Sequence, residues 1–205
     1  MRFLGNRSSG KMGFALAEEA ARRGAQVLLV AGPVRLPTPP GVERVDVTTA
    51  REMDEVLRLR VRNAELVIMA AAVADFRPRN PAPEKIKKEE GGLPVLELEE
   101  NPDIVAGLRD CAPAALIVGF AAETSRLTEH ARAKLERKRL DLLVANDVSR
   151  TDIGFDSDQN EVTIFRRDAE PQTLRRRSKK EIAGALLDLL ATQLAEERPD
   201  APRAL

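Results

Sequence analysis

Short apolar runs alternate with segments of helical period along most of this chain, and that alternation narrows the possible architecture more than any other feature. Ala25–Ala31, Leu66–Val73, Ala114–Phe120 and Leu140–Ala145 are built largely from Val, Leu, Ile and Ala. An apolar run without polar alternation is buried on both faces, as a parallel strand is when helices cover it. Glu43–Val47 and Pro94–Leu98 read as further strands, and Glu161–Arg166 pairs with Thr173–Arg176 as a hairpin around Asp168–Pro171. Between the strands lie helical patterns: Phe14, Ala15, Leu16, Ala20 and Ala21 ending at Gly24, then Arg51–Arg62 with Thr48 and Thr49 as cap candidates. Asn101 is the expected N-cap of a short helix with Pro102 at its first position. Leu127–Arg139 is amphipathic and Lys179–Leu194 closes the fold. The expectation is a three-layer α/β domain, a Rossmann-like, doubly wound, mostly parallel sheet with a C-terminal β-hairpin extension. It fills residues 1–196 as one domain, with a disordered tail over 197–205.

Charge and composition remove several function classes. Lys plus Arg and Asp plus Glu both number 33, so there is no global field for nucleic acid or for an anionic membrane. Any anion must be held by local arrangement. One cysteine, Cys111, and one histidine, His130, allow neither an internal disulfide nor a Cys/His zinc set, and they suit a reducing, cytoplasmic setting. No apolar run approaches the roughly 18 residues of a membrane span, and none reads as a signal peptide. With no Trp or Tyr, stacking platforms for single strands are scarce.

In a doubly wound sheet, ligands bind beyond the carboxyl ends of the strands. Ala70–Phe76, Asn101–Ile104, Gly119–Thr124 and Ala145–Val148 lie there. The stretch Gly5-Asn6-Arg7-Ser8-Ser9-Gly10-Lys11-Met12-Gly13 leads into the first helix, and small residues, amides and a lysine at a helix start suit an anion. It is not a P-loop, because Met12 stands where Ser or Thr would hold magnesium, and the dinucleotide fingerprint is missing. A glycine-containing helix cap is the plainer alternative. Asp156–Asn160 opens like a calcium loop, but Glu161 replaces the glycine and Arg167 the glutamate, so a solvated turn fits better. Asp75 could hold a magnesium ion, accept from a base or ribose, or cap a turn. Lys85, Lys87 and Lys88 fit either a solvated surface or a loop that brings a lysine onto a triphosphate. Lys134 and Lys138 share a helix face, which exposure alone also explains. No Ser–His–Asp or Cys–His set is visible, so an enzyme of this kind must draw its nucleophiles from its substrates.

Seven segments in order carry a resemblance: Asn6–Gly13, Ala70–Phe76, Lys85–Lys88, Asn101–Ile104, Gly119–Thr124, Asp141–Val148 and Gly154–Asn160. Together they resemble phosphopantothenoylcysteine synthetase, the ligase of coenzyme A biosynthesis, which in many bacteria is fused to a flavin-dependent decarboxylase. The resemblance implies that the carboxylate of 4′-phosphopantothenate attacks the α-phosphate of CTP, giving an acyl-cytidylate and pyrophosphate. The amine of L-cysteine then displaces CMP. Asn6 would act on the acyl-cytidylate, with Arg2, Ser8, Ser9 and Gly10 near the phosphopantothenate. Met69, Ala70, Ala71, Asp75, Lys85, Asn101, Pro102, Asp103, Ile104, Phe120, Lys134 and Lys138 would form the CTP site, with Mg2+ bridging the phosphates.

The resemblance also implies a homodimer, with the Glu161–Arg176 hairpin as the candidate contact, and no flavin in this chain. Members of the family carry a strand and a glycine-rich turn before the arginine matching Arg2. The expectation here is therefore a sheet short of its first strand, from a shortened chain or a start assigned too late. The competing readings are a non-catalytic nucleotide-binding module of the same fold and, against the absent fingerprint, a nicotinamide-dependent reductase. ATP is the competing nucleotide.

Overall fold

The computed structural model describes residues 4–6, 8–82, 84, 95–123, 127–147, 157–167 and 169–197. Helix α1 (Lys11–Arg22) buries Phe14, Ala15, Leu16 and Ala17 and stops at Gly24, whose φ of 95° reverses the chain. Ala25 N then donates to Ala20 O at 3.1 Å, closing the helix end. Strands β1 (Val27–Ala31) and β2 (Val42–Asp46) follow as a parallel pair. Helix α2 (Ala50–Arg60) begins with a reciprocal cap. Thr49 accepts from Glu52 N, and the Glu52 carboxylate accepts from Thr48 N and Thr49 N.

Strand β3 (Leu66–Met69) ends four residues earlier than its apolar run suggests. A short ribbon of β4 (Phe76–Pro78) and β5 (Leu98–Glu100) comes next, antiparallel, with Phe76 opposite Glu100. The strand expected over 94–98 is thus displaced; Pro94 lies outside the described residues. Helix α3 (Ile104–Cys111) leads to β6 (Leu116–Glu123), α4 (Leu127–Arg137) to β7 (Leu142–Asp147), and β8 (Gln159–Arg166) and β9 (Gln172–Ser178) form the expected hairpin. Helix α5 (Lys179–Glu197) closes the fold, so residue 197 of the expected tail is helical; 198–205 lie outside the described residues.

The main sheet has the order β3-β6-β7-β8-β9, parallel through β7 and antiparallel beyond it. Its strands send alternate residues to two cores. Val67, Met69, Ile117, Leu143 and Phe165 pack with Met53, Leu57, Ile104, Leu108 and Leu135 from α2, α3 and α4. Leu116, Val118, Leu142, Val144, Val162 and Ile164 pack with Ile182, Leu186, Leu187 and Leu190 of α5 and with Leu16 of α1. Two helical layers around one sheet are the expected three-layer α/β arrangement. Gly119 is required where β6 passes Leu140, because a Cβ there would stand 2.7 Å from Leu140 Cδ1. The β1–β2 pair is not hydrogen bonded to the main sheet, so one edge of β1 and one of β3 have no strand partner among the described residues.

Candidate functional site at the exit of strand β3

Gly10 sets the start of α1. Its φ of 72° turns the chain into the helix, and a Cβ would meet Val34 Cγ1 at 3.0 Å. Ser8 Oγ accepts from Gly10 N at 3.3 Å. No side chain caps α1, and no acidic residue stands in its first turn. By contrast, α2 has Thr49 and Glu52, α3 has Asp103, and Ser178 with Glu181 serves α5. No capping side chain or first-turn acid therefore offsets the positive end of the α1 dipole. Lys11 does not aim at that space: its Nζ pairs with Asp158 Oδ1 at 2.6 Å and holds that carboxyl below the usual carboxylate range. This removes Asp158 from a calcium loop, and Asp156 lies outside the described residues.

The residues after β3 form the hub. Gly13 in the first turn of α1 lies against Ala70, where a Cβ would make ordinary contact at 3.8 Å. Asn6 Nδ2 donates to Val73 O at 3.0 Å, and Asn101 Nδ2 donates to the next carbonyl, Ala74 O, at 2.8 Å. Asn101 N donates to Asp75 O at 2.8 Å. Two asparagines from opposite ends of the site thus hold three consecutive carbonyls. Ala71 and Asp75 are exposed beside them, whereas Met69 is buried. Arg77 donates to Glu100 O, reaches Asn101 Oδ1 at 3.3 Å and pairs with Glu99 at 3.0 Å. A cleft of about 380 Å3 runs from Arg77, Glu100, Asn101 and Pro102 to Arg51, Asp54 and Glu55 of α2.

Asn101 is not the cap of α3. That role belongs to Asp103, whose side chain accepts from Ala106 N at 3.1 Å, while Pro102 precedes the helix. The spare oxygen of Asp103 takes Lys138 Nζ, which joins the end of α4 to the 101–104 segment. Burial opposes the charge of Asp103, but the bonds from Lys138 and Ala106 outweigh it and leave its pKa below the usual value. Ile104 is buried in the core, Phe120 is half-buried on the α5 side, and Lys134 is half-buried on α4. The structure therefore joins Asn6, Ala70 and Asn101 around one strand exit and ties Asp103 to Lys138. Arg2, Lys85, Lys87, Lys88, Thr124 and Val148 lie outside the described residues. Among the described residues, no group of three or more His, Cys, Asp or Glu could hold a metal.

The DNA/pantothenate metabolism flavoprotein C-terminal domain matches residues 1–194. The chain belongs to this family. The coenzyme A biosynthesis bifunctional protein CoaBC of Escherichia coli (strain K12) is 48% identical over 202 residues, covering 96% of this chain and 49% of that protein. The chain thus spans about half the length of the curated relatives it matches. The crystal structure of the C-terminal domain of a CoaBC superposes with a TM-score of 0.80 at 38% identity, covering 96% of this chain and 88% of that one. A variant of Cab2 in complex with phosphopantothenate-cysteine shares the fold, with a TM-score of 0.75 at 19% identity over 97% of this chain and 83% of that one.

In this DNA/pantothenate metabolism flavoprotein C-terminal domain, two side chains beside the site escape a reading of the sequence. Arg77 sits in a polar, proline-flanked stretch without periodicity. Asp158 is visible only as one of several acids in a turn, and its partner lies 147 residues away.

Proposed function

We propose that this chain ligates 4′-phosphopantothenate to L-cysteine at the expense of CTP, through an acyl-cytidylate. Asn6, held at the β3 exit beside the uncapped start of α1, is the observation that carries this reading. Its amide is a preorganised donor within one residue of the carbonyl engaged by Asn101. Such a donor suits the oxygen on which charge develops when an amine attacks an acyl group. The positive end of α1, with Ser8, Ser9 and Gly10, would take the phosphopantothenate. Met69, Ala70, Ala71, Asp75, Asn101–Ile104, Phe120, Lys134, Lys138 and, from outside the described residues, Lys85 would take CTP. Lys138 would exchange Asp103 for phosphate in doing so. Mg2+ bound by the phosphates would offset their charge, and the exposed Asp75 would be its candidate protein carboxylate. The proposed setting is the cytoplasm; among the described residues, no helix is long and apolar enough to cross a membrane.

Pyrophosphate release from CTP and phosphopantothenate, measured with and without cysteine, tests the reaction. CTP binding by calorimetry with no pyrophosphate or amide formed would leave a nucleotide-binding module instead. Asn6→Ala is expected to lower amide formation by about a hundredfold, as loss of one charge-stabilising donor does. Pyrophosphate formation should fall much less, and equal loss in both steps would remove Asn6 from the second step.

A homodimer belongs to the same proposal, and beside the Glu161–Arg176 hairpin the exposed apolar side chains offer a second candidate contact. Within the hairpin β8 is paired on both sides and β9 keeps one open edge among the described residues, while Phe76, Val95, Leu96 and Leu98 project at the β4–β5 ribbon with 41–89% exposure. Light scattering of Leu96→Glu should show a monomer where the parent chain is a dimer; an unchanged mass would rule the ribbon out.

A further inference from the structure

A second cleft, of about 690 Å3, opens at the amino ends of β6 and β7, the opposite end of the sheet from the β3 exit. Its position follows from the register: Arg166 ends β8 opposite Leu142, the first residue of β7, and Asp141 directly precedes that strand. Leu135 forms an apolar part of the wall, and the rest is dominated by guanidinium groups from three elements.

Arg109 belongs to the framework. It donates to Ala115 O at 2.9 Å and to Asp141 Oδ2 at 2.5 Å, and Ile117 N donates to the same oxygen at 2.7 Å. The charge of Asp141 is thereby spent, leaving Glu136 as the other acid in the lining. Arg139 uses one nitrogen for Ala106 O and Asp110, and Arg167 uses Nε for Leu140 O at 3.4 Å. Among the described residues, the side chains of Arg132 and Arg166 make no hydrogen bond or ion pair. Arg132 comes from α4 and Arg166 from the end of β8, so uncommitted forks line the cleft from two walls. This concentration stands out in a chain whose total charge is zero.

Planar guanidinium forks bind phosphate oxygens in pairs, which a single ammonium does not. Forks on separate elements suit an anion with two or more contiguous phosphoryl groups better than a lone phosphate. The volume falls within the roughly 300–1,000 Å3 of small-molecule sites. We propose that this cleft binds a small polyphosphate, either inorganic pyrophosphate or the phosphate tail of a nucleotide, through Arg132 and Arg166 with Arg139 and Arg167 beside them.

Phenylglyoxal modification followed by peptide mapping tests this on the intact chain, one residue at a time. Pyrophosphate should slow modification of Arg132 and Arg166 by about fivefold or more while leaving Arg60, exposed on α2 and paired with Glu43, unaffected. Protection by CTP without protection by pyrophosphate would support the site and assign it to the nucleotide. Absence of protection by either, or equal protection by sulfate at matched ionic strength, would overturn the proposal. In Arg132→Gln, with folding checked by circular dichroism, the pyrophosphate concentration that half-protects Arg166 should rise about tenfold. An unmoved midpoint would show that the two arginines share no anion.

Discussion

Gly10 and Gly13 sit three residues apart and do different things. Gly10 is left-handed, which costs an ordinary L-residue roughly 1–2 kcal/mol, and Val34 leaves its Cβ no spare room. Gly13 is helical, a Cβ there would only touch Ala70 at an ordinary 3.8 Å, and glycine inside a helix is worth roughly 0.5–1 kcal/mol less than alanine. Gly10→Ala should therefore lower unfolding stability by about 2 kcal/mol in urea. Gly13→Ala should hold or raise it, and any loss of ligand binding there would reflect the methyl at the mouth of the site. Equal destabilisation by both would mean that the turn at Gly10 is not strained by a side chain. The same scale explains Asn101: sequence spacing makes it a cap, but its amide is spent on Ala74 O, so the capping falls to Asp103.

At the scale of elements, α1 and α5 are joined by charge as well as by core. Glu19 accepts from Arg22 and Arg23, and Arg23 reaches Gly184 O at 3.0 Å and Asp188 at 2.7 Å. The hydrogen bonds from Arg22 and then Arg23 lower the Glu19 pKa from 4.5 to about 2. A depressed carboxylate pKa stabilises the fold fully above the unfolded value and loses that contribution as the pH falls through the folded one. Between pH 4.5 and about 2, the melting temperature of the parent chain should fall more steeply than that of Glu19→Gln. Parallel curves would mean that these arginines do not hold Glu19 more tightly in the folded state. Elements buried on both faces, such as β6 and β7, were legible as apolar runs, and α1 was legible down to its stop at Gly24. The end of β3 was not, because alanines from 70 onward suit strand or loop. The end is set by Asn6 and Asn101, which take the carbonyls of Val73, Ala74 and Asp75. Nor was the β4–β5 ribbon, whose three-residue strands, with Pro78 and Arg77, show no period. The site was legible as segments; the partners of Lys11 and Lys138 were not, since ion pairs across the fold leave no local pattern.

Across the whole molecule, the parallel strands fall into two units that share side-chain cores but no strand-to-strand hydrogen bonds. The β1–β2 pair is anchored from its faces. Val30 and Val45 pack on the α2–α3 core, and Arg44 lies 5.3 Å from the Phe14 ring of α1. Strands β6, β7 and β8 are each paired on both edges, and the middle of β6 and β7 is sealed, with Ile117, Val118, Leu142, Leu143 and Val144 at 0% exposure. A unit held by side chains alone can open without breaking the main ladder, and such units exchange amide hydrogens through sub-global unfolding. Hydrogen exchange should therefore be at least about tenfold faster for the paired amides of β1–β2 than for those of β6–β7, a gap of about 1.4 kcal/mol or more. The amides on the unpaired edges of β1 and β3 should exchange faster still. Uniform protection across both units would show that the side-chain cores alone make the two units one cooperative sheet.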